Sequence, residues 1–216
     1  MNNPYTGKPD GGKNFVNSLT YNQMLQQQNA VTDSIVIPFV QQRNSDYARR
    51  QQDILNSIDK IVSFEDEGKR DTLRNLLIMT AHMENSMGAD PSAYGRNYTN
   101  SFMSIDDGTF NQLMDIREGA YDYTSSQKAY QKRYGELGLP SDKQGLLQLL
   151  EQDNPDAAVA VARQVYGMDT KPLPENTPKG LFDYYMDVFN KGGSSDYGTR
   201  EKDFKRFMVG YNKNIK

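Results

Sequence analysis

The apolar residues of this chain recur at helical rather than strand spacing. Between positions 45 and 62, Tyr47, Ile54, Leu55, Ile58, Ile61 and Val62 share one face and polar residues fill the other, which predicts an amphipathic helix. A second helix is predicted to start near Asp66 or Lys69, where Glu65, Asp66 and Glu67 suit a positive helix N-terminus. Its stripe is Leu73, Leu76, Leu77, Thr80, Ala81 and Glu84. Eleven residues, close to three full turns, separate Leu73 from Glu84, so a carboxyl group is expected on the apolar side at the helix end. Gly88 is the expected stop signal.

Capping signals divide the second half. Ser141 to Gln144 reads as a capping box that opens a helix with Leu146, Leu147, Leu149 and Leu150. Asn154-Pro155 pairs an N-cap with proline at the first helical position, and the apolar run from Ala157 to Val165 predicts a buried central helix ending at Gly167. Thr177-Pro178 repeats that start, with Gly192-Gly193 as the stop after Phe189. A last helix carries Phe204, Phe207, Met208 and Tyr211 on one face, and a short one is predicted from Asp107 to Met114. No strand run stands out, and any sheet is expected to be a minor hairpin within residues 90–110. The fold class expected is therefore mainly α. Two regions follow: an N-terminal arm with helices over 1–62, suited to docking, and a helical domain over 63–216. Residues 1–17 are rich in Asn, Gly, Pro and Lys, and Pro38 interrupts the apolar run Ile35 to Val40.

Composition narrows the function. With 36% hydrophobic and 25% charged residues there is material for one core but little to spare. A net charge of -3 argues against a general nucleic-acid binder. There is no cysteine and only one histidine, His82, outside any HExxH pattern; neither a disulfide framework nor a metal centre is expected, and no cofactor motif is found. The opening residues MNNPYTGKPDGGKNF hold no apolar core of a secretory signal, and no run is long enough to cross a membrane. No membrane partner is expected, and contact with a cell wall would need delivery by another route.

Glu84 is the sharpest chemical feature. Desolvation raises a carboxyl pKa, and an acid that keeps its proton near neutral pH can protonate a glycosidic oxygen. The alternative is a structural Glu pairing with Arg74, Arg96 or a backbone amide. The segments around it, Ala81-His82-Met83-Glu84-Asn85-Ser86-Met87-Gly88, then Tyr94-Gly95, then Ser101-Phe102-Met103-Ser104-Ile105-Asp106, resemble the lysozyme-like, lytic transglycosylase-related families. Those families have a helix ending in a catalytic Glu followed by Ser, then a loop closing in a Gly-Leu-Met-Gln-Ile-type segment. Asn154-Pro155 through Tyr166 is similar to their buried central helix, and Tyr185 through Asn190, then Gly192 to Thr199, to their cleft-lining Tyr-Asn-Gly region. The likeness spans roughly residues 65–210, and similar domains occur in bacteriophage virion proteins. Asn85 stands where Ser is usual and Ser104 where Gln is usual.

The resemblance implies a lysozyme-like domain with Glu84 as general acid/base, a Met103 shelf beneath a sugar, and contacts from Ser104 and the 185–190 helix, Tyr185 and Asn190 among them. In transglycosylases the sugar closes its own 1,6-anhydro ring, so one carboxylate suffices; a hydrolase would activate water, often with a second acid. Asp106 and Asp107 could supply it, or could be turn and cap residues. Tyr94 and Tyr98 could stack on sugar rings, or pack a polar loop region. The implied partners are peptidoglycan, cut by a lytic transglycosylase or muramidase, and other virion or tail proteins engaged through residues 1–62. The implied location is a phage particle that delivers the protein to the bacterial envelope. The competing expectation is a structural virion protein that keeps this fold without catalysis.

Overall fold

The computed structural model describes residues 45–87, 101–117, 132–169, 171–190 and 197–215. Its elements are helices: α1 (45–62), α2 (Glu67–Asn85), α3 (Asp107–Arg117), a short α4 (132–136), α5 (Lys143–Glu151), α6 (Pro155–Met168), α7 (Pro178–Tyr184), which runs on as a π-helical turn (Tyr185–Phe189), and α8 (Tyr197–Asn214). The protein is mainly helical, and no strand occurs among the described residues. The place expected for a hairpin, 90–110, lies partly outside them.

Local chemistry explains several of the helix starts. Asn154 accepts a hydrogen bond from the Ala157 amide at 3.0 Å with Pro155 following it, and Thr177 accepts one from Gly180 at 3.1 Å with Pro178 following it. Each cap satisfies an amide that the first helical turn would leave unpaired. The start of α5 differs by one residue from the capping-box expectation. Asp142, not Ser141, is the cap, accepting from Gly145 at 2.8 Å.

Helix α2 ends without glycine. Ser86 takes the left-handed conformation at φ 47°, its amide returning to the His82 carbonyl, and Met87 follows at φ 60° with its amide on Ala81. Gly88 lies outside the described residues. Two successive side-chain-bearing residues at positive φ cost roughly 1 kcal/mol each relative to glycine, a strain that tends to gather at functional sites.

The core joins all these helices. Helix α2 lies against α6, α7 and α8, and α6 also meets α3, α5 and the π turn. Leu73, Leu76, Leu77, Ile78, Met79 and Ala81 of α2 are fully enclosed, as are Ala157, Ala158, Val159 and Ala162 of α6. Small side chains on α6 leave room for neighbouring helices to approach it closely. Phe207 of α8 packs on Phe182 of α7 at a centroid distance of 5.4 Å, and Phe204 does so at 5.1 Å.

Helix α1, grouped with the N-terminal arm on its sequence pattern, contributes Ile54, Ile58, Ile61 and Val62 to this same core. Residues Asp46–Lys216 form one compact unit, and Met1–Ser45 another. Ser57 of α1 donates to Asp156 at 2.6 Å, at the start of α6, and Arg50 pairs with Asp153 just before it.

Candidate active site around Glu84

Four helices converge near the end of α2. The Leu73-to-Glu84 stripe that buries α2 carries the Glu84 carboxyl inward with it, and the residue ends up largely buried. The Tyr185 hydroxyl donates to Glu84 Oε1 at 2.6 Å. Burial pushes the Glu84 carboxyl up to about 7; the Tyr185 hydrogen bond and the positive charge of Arg206 pull against that rise without cancelling it. Glu84 is therefore an acid that titrates near neutrality.

The neighbouring hydroxyls are ordered by their donors. Thr80, one turn before Glu84, donates to the Leu76 carbonyl at 2.8 Å, the usual back-bond of a helical threonine. Its hydrogen is thereby committed, so the Tyr166 hydroxyl, 2.6 Å from Thr80 Oγ1, must be the donor in that pair. Tyr166 cannot also donate to Glu84, whereas Tyr185 does. Burial and the nearby Glu84 charge both push the Tyr185 phenol far above its ordinary range, which keeps it a donor. The phenol of Tyr166 is also raised, by burial first.

The π turn shapes the aromatic side of this cluster. Its last bond runs from the Asn190 amide to the Tyr185 carbonyl at 3.0 Å. Tyr184 stacks on Tyr166 at 5.8 Å, Phe189 lies 5.4 Å from Tyr166, and Tyr185 stacks on Phe189 at 6.2 Å. One extra residue in a helical turn is a small departure from α geometry, and such departures recur at functional sites.

Helix α8 packs along α2 at His82. A Cβ built on Gly210 would stand 2.1 Å from the His82 ring, so only glycine admits this crossing. One turn earlier, the Arg206 backbone also bonds His82. His82 is half-buried and its pKa is lowered, by burial first and then by Arg206 and Lys213. Among the described residues no cluster of His, Asp and Glu could hold a metal ion.

The expected site residues fall into distinct groups. Glu84 and Tyr185 are brought together. Asn190 ends the π turn, half-buried, with its side-chain nitrogen 3.8 Å from the Met186 sulfur. Met103 is completely enclosed in the core beside Phe102 and Ile105, and Ser104 is half-buried at φ 48°. Asp106 caps α3: its carboxylate accepts from the Thr109 hydroxyl at 2.6 Å and the Thr109 amide at 2.9 Å. Partial burial would raise Asp106, but those hydrogen bonds outweigh it and hold the group below its usual range. Asp107 is exposed in the first turn of α3. Tyr94, Tyr98 and Arg96 lie outside the described residues. Arg74, the other guanidinium considered for Glu84, pairs with Asp59 at 2.6 Å instead.

Sequence reasoning passed over two features. Thr80 and Tyr166 were seen only as positions on apolar helices, and a hydroxyl at the same height on each was the available signal. Glu65 was read as a helix N-terminal charge. It is instead buried, with Arg133 and Arg163 each 3.0 Å from its Oε1. Those arginines line a small cavity with Ile61, Phe64, Tyr134, Leu137 and Ala160. No family model, no curated protein and no solved structure matches this chain.

Proposed function

We propose that this protein cleaves the glycan strands of peptidoglycan, with Glu84 as the acid, and that it is carried by a bacteriophage particle to open the cell wall during infection. The observation that carries the reading is the pairing of a part-buried Glu84 carboxyl, its pKa raised to about 7, with a single phenol donor and no guanidinium clamp among the described residues. The contact between Thr80 and Tyr166, which joins α2 to α6, also accords with a lysozyme-like arrangement of those two helices.

Protonated Glu84 delivers its proton to the glycosidic oxygen as the C–O bond breaks, and the leaving sugar departs as the neutral alcohol. Tyr185 holds Oε1, which leaves Oε2 to carry the proton. The resulting carboxylate is stabilised by that same hydrogen bond and by the Arg206 charge. It then takes the proton of the substrate's own 6-hydroxyl as that oxygen closes on C1, giving a 1,6-anhydro product. This route needs one carboxylate. The commitment of Asp106 to its helix cap favours it over a hydrolysis that would draw on Asp106 as a second acid.

The test is turbidity loss on purified peptidoglycan with product masses. The wild-type chain should release anhydro-muropeptides, and Glu84→Gln should stop release while leaving the fold intact. A folded wild-type protein that releases nothing between pH 4 and 9 would reject the reading. That result would favour a structural virion component with the same fold, a reading to which the full enclosure of Met103 also lends weight.

A further inference from the structure

The turn that carries Tyr185 is braced on its solvent side. Asp183, in the last turn of α7, and Asp187, in the π turn, lie two residues before and two after Tyr185. Two residues make about half a helical turn, so both carboxylates sit on the face opposite the phenol. Accordingly Tyr184, Tyr185 and Met186 are buried, Asp183 is half-buried and Asp187 is exposed. Like charges one turn apart repel each other. Arg200, in the first turn of α8, relieves them. Its Nη2 lies 3.0 Å from Asp183 Oδ1 and 3.5 Å from Asp187 Oδ1, and its guanidinium stands 5.8 Å over the Phe182 ring. Lys179 meets Asp183 alone, and Lys171 meets Asp187 alone at 3.6 Å. Among the described residues, Arg200 is the one cation that engages both acids.

The far half of α8 rests on the helix that bears the acid. Ten residues beyond Arg200, about 15 Å along the helix, Gly210 lies against the His82 ring, and Glu84 follows His82 by two residues. The contacts therefore close a ring. It runs from α2 to α8 at His82, from α8 to the π turn at Arg200, and back to α2 where Tyr185 donates to Glu84 at 2.6 Å.

We propose that Arg200 is a positioning residue for the Glu84 acid: by bracing Asp183 and Asp187 it holds the Tyr185 phenol within hydrogen-bonding reach of Glu84 Oε1. Its meaning for catalysis rests on the glycan-cleavage reading; the brace itself does not. Solvent-exposed ion pairs contribute little to global stability, so the brace acts on the placement of one turn rather than on the fold. A hydrogen bond weakens steeply once its donor leaves the line of approach, and a small rotation of the turn is enough to release Oε1.

The experiment follows the Glu84 titration in the full chain by carbon NMR of carboxyl-labelled glutamate, the Glu84 signal being identified by its loss in Glu84→Gln. The groups acting on Glu84 are Tyr185 from the π turn, Tyr166 from α6 and Arg206 from α8, with His82 on its own helix beside Arg206; the Arg200 and aspartate variants alter none of them. Tyr185→Phe should move the midpoint up by about half a pH unit, the size of one ordinary hydrogen bond. Arg200→Gln should move it up similarly and add nothing in the Tyr185→Phe background. Asp183→Ala with Asp187→Ala removes the brace from its other side and should also move the midpoint up. This pair separates bracing from charge, because losing two negative charges through space lowers a carboxyl midpoint. Lys171→Gln and Lys179→Gln, which leave Arg200 on both acids, should change nothing. The proposal is overturned if Tyr185→Phe or Arg200→Gln leaves the midpoint in place, if the Arg200→Gln effect persists in full without the Tyr185 hydroxyl, if the lysine variants match it, or if the aspartate pair lowers the midpoint. Urea unfolding should stay near wild type throughout; should Arg200→Gln fail to fold, the aspartate pair carries the same test. Turnover is not read in this titration. A wild-type protein that cuts nothing yet shows these shifts would remove the cleavage reading alone, and one that cuts while its Glu84 midpoint ignores Arg200→Gln would remove this proposal alone.

Discussion

Two glutamates of this protein are withdrawn from solvent near the two ends of α2, Glu65 fully and Glu84 in part, and they have opposite surroundings. Glu65, just before the helix, lies between two guanidinia and ties the α1–α2 turn to α4 and α6. Glu84, in the last turn, has one phenol at 2.6 Å and an aromatic wall beyond it. Burial of a carboxylate is costly unless opposite charge and hydrogen bonds compensate it. Glu65 is compensated and serves as a staple. Glu84 is undercompensated, and the deficit appears as a proton retained near pH 7. The lesson is that burial alone does not mark a working acid; the partners decide.

Breaking each glutamate should give opposite outcomes. The largest effect expected is on rate. Glu84→Gln should lower glycan cleavage by about a thousandfold in a turbidity assay, with urea unfolding unchanged or shifted toward greater stability above pH 7. Glu65→Gln should do the reverse. It strands two partly buried arginines and should cost about 3 kcal/mol in urea unfolding, with any lost activity recovered at low temperature.

The next expected effect is the pH dependence of stability. The folded pKa of Glu84 lies above its unfolded value of 4.5, so the folded state binds this proton more tightly. Stability is therefore fullest below 4.5 and declines as pH rises to about 7, by about 3 kcal/mol in total from this group. Denaturant melts at pH 5 and pH 8 should show that decline, and Glu84→Gln should flatten it. A wild-type curve that climbs over this range would reject the raised Glu84 pKa. The smallest effect expected is that of Tyr185→Phe. Losing the donor removes support for the ionised form, so the Glu84 pKa should rise further and the alkaline limb of the rate profile should move up. The rate below that limb should fall about tenfold as Oε1 loses its anchor.

Much of the fold could be read from the chain because its helices obey local rules. The stripe from Leu73 to Glu84 located the buried carboxyl by periodicity alone, and Asn154-Pro155 and Thr177-Pro178 marked their helix starts by cap chemistry. What escaped has a physical reason in each case. The stop after α2 comes at Ser86 and Met87, both at positive φ, ahead of the glycine at position 88 that marks it in the sequence. The π turn leaves the apolar pattern of Tyr184 to Phe189 unchanged, since one wider turn shifts backbone bonds rather than residue types. Glu65 sits among three acids whose sum suits a helix N-terminus, and only the inward-facing arginines, 68 and 98 positions away, reveal its different task. Tyr185 was named through family resemblance; nothing in its local spacing points to Glu84.

The seat of Gly210 on the His82 ring has a consequence for biogenesis. A contact between helices so far apart in the chain forms only after nearly all of the compact unit has been synthesised, and the charged flank of the acid arrives with it. An unfinished polypeptide would hold Glu84 on an α2 that lacks its α8 neighbour, so the order of translation itself postpones assembly of the proposed site.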